Sequence, residues 1–120
     1  MGRVLVVDDD PMFQEFVREE LGRLGHEAAA AVNGLEAVEA IRKEPPDLIL
    51  LDLRMPLMDG IDALRALREE RCRAPVILLT ARRNPEVLAQ AQALGAAEIL
   101  FKPVDLAQFF LLLEERLGSR

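Results

Sequence analysis

Residues 47–60 read DLILLDLRMPLMDG, and every residue between Asp47 and Asp52 is Leu or Ile. A strand half-exposed to water alternates apolar and polar side chains. A strand that is apolar at every position has to be covered on both faces, which is the condition of a parallel sheet between two helical layers. Two other runs have the same character, RVLVVD at 3–8 and PVILLT at 75–80. The first of the three also raises a chemical question. Asp52 closes it, and an ionised carboxylate is expensive to keep beside a core.

The segments between these runs carry helical spacing. Asp10 followed by Pro11 opens a helix with Phe13, Val17, Leu21 and Leu24 on its apolar stripe, and Gly25 closes it. HEAAAAV at 26–32 is a weak strand, after which Asn33 caps a helix striped by Leu35, Val38 and Ile41. Pro45-Pro46 stops it. Residues 54–60 form a loop, with Asp59 and Asp62 suited to the N-cap and N3 of a helix carrying Ile61, Leu64 and Leu67. A helix at 86–94 closed by Gly95, a strand AEILF at 97–101 and a helix at about 105–117 complete the chain. The alternation predicts an α/β fold: a five-stranded parallel sheet in the order 2-1-3-4-5, a flavodoxin-like three-layer sandwich with helices on both faces. Residues 1–120 read as one domain.

Composition narrows the function. The 21 acids against 15 bases give a net charge of −6, which argues against unaided nucleic-acid binding. No run approaches the ~18 apolar residues of a membrane span. Cys72 is the only cysteine, so no disulfide forms within the chain, and a free thiol suits a reducing cytoplasm. Lysine is rare, present only as Lys43 and Lys102.

The polar residues then fall into a pattern. Asp8 and Asp9 end the first strand, Asp52 the third, Thr80 the fourth and Lys102 the fifth. Ligands of open α/β sheets bind beyond the carboxyl ends of the strands, at the switch point, here between strands 1 and 3. Two carboxylates ~4 Å apart at an effective dielectric near 20 repel by roughly 4 kcal/mol, which a cation removes. All the candidate ligands are oxygens, so the cation is hard, and Mg²⁺ suits few carboxylates with retained waters. With Lys102 and Thr80 added, the group forms a cage for a tetrahedral anion. Asp52 is then tolerable because it is compensated, and useful as an oxygen nucleophile toward phosphorus.

Four stretches, VLVVDDDP at 4–11, DLILLDLRMPLMDG at 47–60, PVILLTA at 75–81 and LFKP at 100–103, together resemble the receiver domain of bacterial two-component response regulators, in order and spacing along the whole chain. The resemblance implies that a sensor kinase or histidine phosphotransfer protein donates a phosphoryl group from phosphohistidine to Asp52 in the presence of Mg²⁺. It implies that Asp9 binds the metal directly, Asp8 mainly through water, and that Asp52 and the backbone carbonyl of Arg54 complete the protein ligands. Lys102 pairs with the phosphoryl group, Thr80 moves to bond it, and Pro103 follows a cis peptide. The acyl phosphate is later hydrolysed. Such a domain is a phosphoacceptor switch in the cytoplasm acting on a partner or a downstream output domain, not an enzyme with a diffusible substrate.

One position departs from the family pattern. Many receivers carry an aromatic residue three positions before the lysine, where this chain has Ile99, and Phe101 points to the same side. A muted or different rearrangement around strand 5 is the expectation. Leu111 and Leu112 fall off the last helix's core stripe of Leu106, Phe109, Phe110, Leu113 and Leu117. With Ile99 they mark the helix 4–strand 5–helix 5 face as a surface for a homodimer or target. Bland readings hold elsewhere: Asp10 caps a helix, Asp47 opens a strand or turn, His26 is an exposed polar residue, Lys43 is a solvated helix-end charge, and Met55 and Met58 pack. Arg54 and Arg82 stand either at the site entrance or as ordinary surface arginines. Two alternative functions compete. A degenerate receiver would bind partners without phosphorylation, although only Ile99 favours it. A metal-dependent aspartyl phosphatase would need a second acid beside the nucleophile, where this chain has Leu53-Arg54.

Overall fold

Five strands and five helices alternate along the chain in the computed structural model, which describes residues 2–52, 60–70, 72–81 and 84–117. They are β1 (Arg3–Val7), α1 (Pro11–Arg23), β2 (Glu27–Ala31), α2 (Gly34–Lys43), β3 (Leu48–Asp52), α3 (Gly60–Glu69), β4 (Val76–Thr80), α4 (Pro85–Ala93), β5 (Glu98–Phe101) and α5 (Leu106–Arg116). The strands form one parallel sheet in the order β2-β1-β3-β4-β5, as the sequence predicts.

β3 and β4 are buried at every position, which is why their sequences show no polar alternation. Successive side chains serve opposite layers. Leu5, Val7, Ile49, Leu51, Val76 and Leu78 meet α2 and α3 through Ala37, Ile41, Leu64 and Leu67. Val4, Val6, Leu48, Leu50, Ile77 and Leu79 meet α1 and α5 through Val17, Leu21, Phe109 and Leu113. Each fully buried Leu or Ile removes apolar surface from water at a gain of about 2 kcal/mol. The central strands therefore anchor both layers. On the second face Phe13 lies 6.4 Å from Phe109 and Phe16 lies 6.1 Å from Phe110, centroid to centroid, which ties α1 to α5.

Helix boundaries follow local chemistry. The Asp10 carboxylate accepts from the Met12 and Phe13 amides, and Pro11 fills the first turn. Asn33, Asn84 and Asp105 cap α2, α4 and α5 in the same way. Gly25 and Gly95 follow α1 and α4 with φ of +88° and +86°, a conformation that costs a side-chain-bearing residue.

Several expectations need correction. Leu24, Leu35 and Leu106, expected on core stripes, are 46%, 57% and 44% exposed. Each sits at a helix terminus. A 13-residue helix such as α1 is about 20 Å long against about 16 Å for a five-residue strand, so its last turn, with Leu24, overhangs the sheet. The inward line of α2 is Gly34, Ala37 and Ile41. His26, expected to be exposed, is buried. From the position just before β2 it closes a polar contact with α5 that spans 88 residues of sequence. Leu112, expected to be exposed, is half-buried against the α1–α5 cluster, because the flank of α5 lies along β5 and both line one groove. Leu111 is exposed, as expected. The loop at 54–59, with Arg54, Met55, Met58 and Asp59, and Arg82 lie outside the described residues.

Candidate functional site

Register brings the polar residues together. Val7 pairs with Leu51, so one step further along β1 and β3 Asp8 comes opposite Asp52. Asp52 pairs with Leu79, so Thr80 lies one residue beyond it on β4. Thr80 pairs with Phe101, and the Lys102 amide then donates to the Thr80 carbonyl at 2.8 Å. That bond carries the Lys102 side chain back over the edge, where its ammonium lies 3.1 Å from Asp52 Oδ2. The Lys102–Pro103 peptide is cis.

Three carboxylates share this edge. Asp8, Asp9 and Asp52 each present an oxygen, and these oxygens lie within 4.8 Å of one another. Asp8, Asp52 and Thr80 are buried, while Asp9 is exposed. Burial pushes the Asp8 carboxyl up to about 6, and the neighbouring charges of Asp52 and Asp9 push the same way. The Asp10 amide, which donates to Asp8 Oδ1 at 2.9 Å, and the Lys102 ammonium oppose that rise without cancelling it. The cluster thus carries more negative charge than its ammonium offsets. Its donors are all oxygen, which fits a small hard divalent cation. Of the residues expected here, Asp8, Asp9, Asp52, Thr80 and Lys102 come together; Arg54 lies outside the described residues.

Sequence reading passed over one buried polar residue and took another to be exposed. Gln14 is buried in α1, and its amide donates to the carbonyls of Asp8 at 2.5 Å and Ala31 at 2.8 Å. Its signal was available, since positions 14, 17 and 21 make one helical stripe on which only Gln14 is polar. His26 is the other, and no periodicity marks it, because its partners are the Gly2 amide and the Glu114 carboxylate, remote in sequence.

Residues 4–114 match the sequence profile of the response regulator receiver domain. The chain belongs to this family. As a receiver domain it is a module of two-component signalling, and its relatives are bacterial response regulators. It is 34% identical over 104 residues to sporulation initiation phosphotransferase F of Bacillus subtilis (strain 168), a match covering 87% of this chain and 84% of that protein. It is 36% identical over 117 residues to regulatory protein AtoC of Escherichia coli (strain K12), covering 98% of this chain and 25% of that protein. This receiver domain therefore spans about a quarter of the length of several curated relatives. Among solved structures it superposes with a TM-score of 0.84 on the receiver domain of sensor histidine kinase PA1611 from Pseudomonas aeruginosa PAO1. The two are 30% identical, 98% of each chain is covered, and that structure has a magnesium ion coordinated in its active site cleft. No helix among the described residues of this receiver domain is long and apolar enough to cross a membrane.

Proposed function

We propose that residues 1–120 form one receiver domain working as a phosphorylation-dependent switch, with Asp52 as the phosphoacceptor and the phosphohistidine of a sensor kinase or phosphotransfer protein as donor. The observation that carries this reading is the meeting of Asp52 with Lys102 and two further carboxylates at one sheet edge. Asp9, Asp8, Asp52 and the backbone carbonyl of Arg54 would hold Mg²⁺. Bound there, the ion would neutralise the carboxylates and draw negative charge from the phosphoryl oxygens.

The chain's own residues account for the rest. A carboxylate oxygen of Asp52 attacks phosphorus in line, the P–N bond to the donor histidine breaks, and the imidazole nitrogen keeps the electron pair. The product is an acyl phosphate on Asp52. Lys102, already beside Asp52 Oδ2, turns its ammonium to a phosphoryl oxygen. The Thr80 hydroxyl reaches a second phosphoryl oxygen, so that the modification pulls on β4. Water later attacks the phosphorus, releasing inorganic phosphate and restoring the carboxylate. The reaction is the domain's own modification and its reversal, not turnover of a diffusible substrate.

A protein donor suits the surroundings. Met12 in the first turn of α1 is 80% exposed, and Leu106 opens α5, so apolar side chains flank the acidic edge. Relatives named as a phosphotransferase and as part of a sensor histidine kinase support such a partner, and with it a cytoplasmic setting. The α4–β5–α5 face, with Leu111 exposed and Ile99 and Leu112 lining a groove of about 540 Å³, is the surface proposed for a homodimer or target.

The test is intact-mass measurement after incubation with a small-molecule phosphodonor and Mg²⁺, beside Asp52→Asn and a metal-free control. One phosphoryl adduct, lost in both controls, is expected. No adduct under conditions that label another receiver domain would leave a phosphorylation-independent binding module as the reading.

A further inference from the structure

Gln14 occupies a place where an apolar residue would serve the core. It lies on the buried line of α1 with Val17 and Leu21, one turn after the helix cap. A primary amide there has to find partners for its donors, and both partners are main-chain carbonyls at strand ends. One belongs to Asp8, immediately after β1, and the other to Ala31, the last residue of β2. The Asp8 amide itself donates to the same Ala31 carbonyl at 3.0 Å. Asp8 is therefore gripped at three polar atoms: its N–H by Ala31, its C=O by Gln14, and its Oδ1 by the Asp10 amide.

The grip has a consequence for the acidic cluster. Without a cation, Asp8, Asp9 and Asp52 repel, and the easiest relief is for the loop after β1 to draw back from β3. Asp8 cannot draw back without breaking the bonds that Gln14 makes across the ends of β1 and β2. We propose that Gln14 is a positioning residue for the cation site, acting through the backbone of Asp8 to keep that carboxylate beside Asp52 before the ion arrives. This rests on the reading of the cluster as the Mg²⁺ site of the switch. A supporting residue of this kind changes metal affinity because the unliganded site no longer waits in the binding geometry.

The experiment measures the Mg²⁺ affinity of the whole chain by titration calorimetry, with thermal melts alongside, for wild type, Gln14→Met and Val17→Ala. Met fills the same volume with no donor. Val17, fully buried one turn on, reports what general loosening of α1 does. Gln14→Met is expected to weaken Mg²⁺ binding by about 10- to 100-fold, while Val17→Ala stays within about twofold of wild type at a comparable loss of stability. Wild-type affinity in Gln14→Met, or an equal loss in Val17→Ala, would overturn the assignment. A wild-type chain that binds no Mg²⁺ would instead overturn the functional reading beneath it. Nitrogen-15 NMR of the wild type covers the case in which Gln14→Met does not fold. The Gln14 side-chain amide is expected to shift with the same Mg²⁺ midpoint as the Asp52 backbone amide. A signal that stays still through the titration would also overturn the assignment.

Discussion

The two edges of the sheet solve opposite problems with the same residue types. At the edge where the strands begin, polar groups find partners across elements. The Gly2 amide donates to His26 Nδ1 at 2.9 Å, so the ring proton sits on Nε2, facing the Glu114 carboxylate. Arg3 exchanges backbone and side-chain bonds with Asp47 at 2.7 and 2.8 Å, and its guanidinium pairs with Glu27 and Glu44. At the edge where the strands end, three acids crowd together with one lysine against Asp52. The first edge contributes stability. The second gives some up and gains reactivity, which is the usual cost of a preformed charged site.

Substitutions at the two edges should therefore act with opposite signs on folding. The largest effect is expected for His26→Ala, which takes the acceptor from the buried Gly2 amide and opens a gap between the start of β2 and α5. Urea unfolding should register a loss of about 3 kcal/mol, with Mg²⁺ affinity unchanged. A loss below about 0.5 kcal/mol would mean that water replaces both bonds.

At the other edge Asp8→Asn should stabilise the cation-free domain, on the order of 1–2 kcal/mol at pH 7 after allowance for screening, while Mg²⁺ binding weakens. The sign follows from protonation. Asp8 has an ordinary carboxyl value of 3.8 and is held at about 6 in the fold, so the folded state keeps its proton longer. The contribution of Asp8 to stability is fully present below about pH 4 and is lost as pH rises through about 6, the reverse of an ion-paired carboxylate. Unfolding curves from pH 4 to 7 should show that decline in wild type and not in Asp8→Asn, and saturating Mg²⁺ should flatten it. A decline of equal size in the variant would exonerate Asp8.

The smallest effect concerns β5. Ile99 is half-buried against the α3–α4 side of the core, and Phe101 is half-buried one pleat further on. Comparing structures with and without a phosphoryl mimic should show both side chains keeping their rotamers. A large inward turn of either would restore an aromatic switch to this domain.

Much of this was legible in the residues. The unbroken apolar runs of β3 and β4 announce a covered parallel sheet, and right-handed crossovers leave few strand orders, of which the expected 2-1-3-4-5 is the one observed. Asp8, Asp9, Asp52, Thr80 and Lys102 could be placed at one edge because each ends a strand or follows one within two residues. What stayed hidden depends on length and distance rather than pattern. Leu24 satisfies helical spacing, but α1 is longer than the strands it covers and its end turn stays in water; Leu35 stands beside the buried line of Gly34, Ala37 and Ile41, and Leu106 opens α5 ahead of Phe109 and Leu113. His26 depends on a contact 88 residues away. Gln14 is the intermediate case, a polar letter on an apolar stripe that spacing alone could have flagged.

The Lys102 backbone amide bonds the Thr80 carbonyl one residue past the end of β5. Because side chains in a strand alternate faces, one residue inserted or deleted within β5 would send its ammonium to the opposite layer, whereas a change of length in the connection between α3 and β4 would leave it in place. The chain's tolerance to length variation is accordingly uneven. Descendants of this sequence can vary in length between α3 and β4, while the spacing between Phe101, Thr80's neighbour on β5, and Lys102 is a frame that insertions and deletions cannot cross without displacing the ammonium.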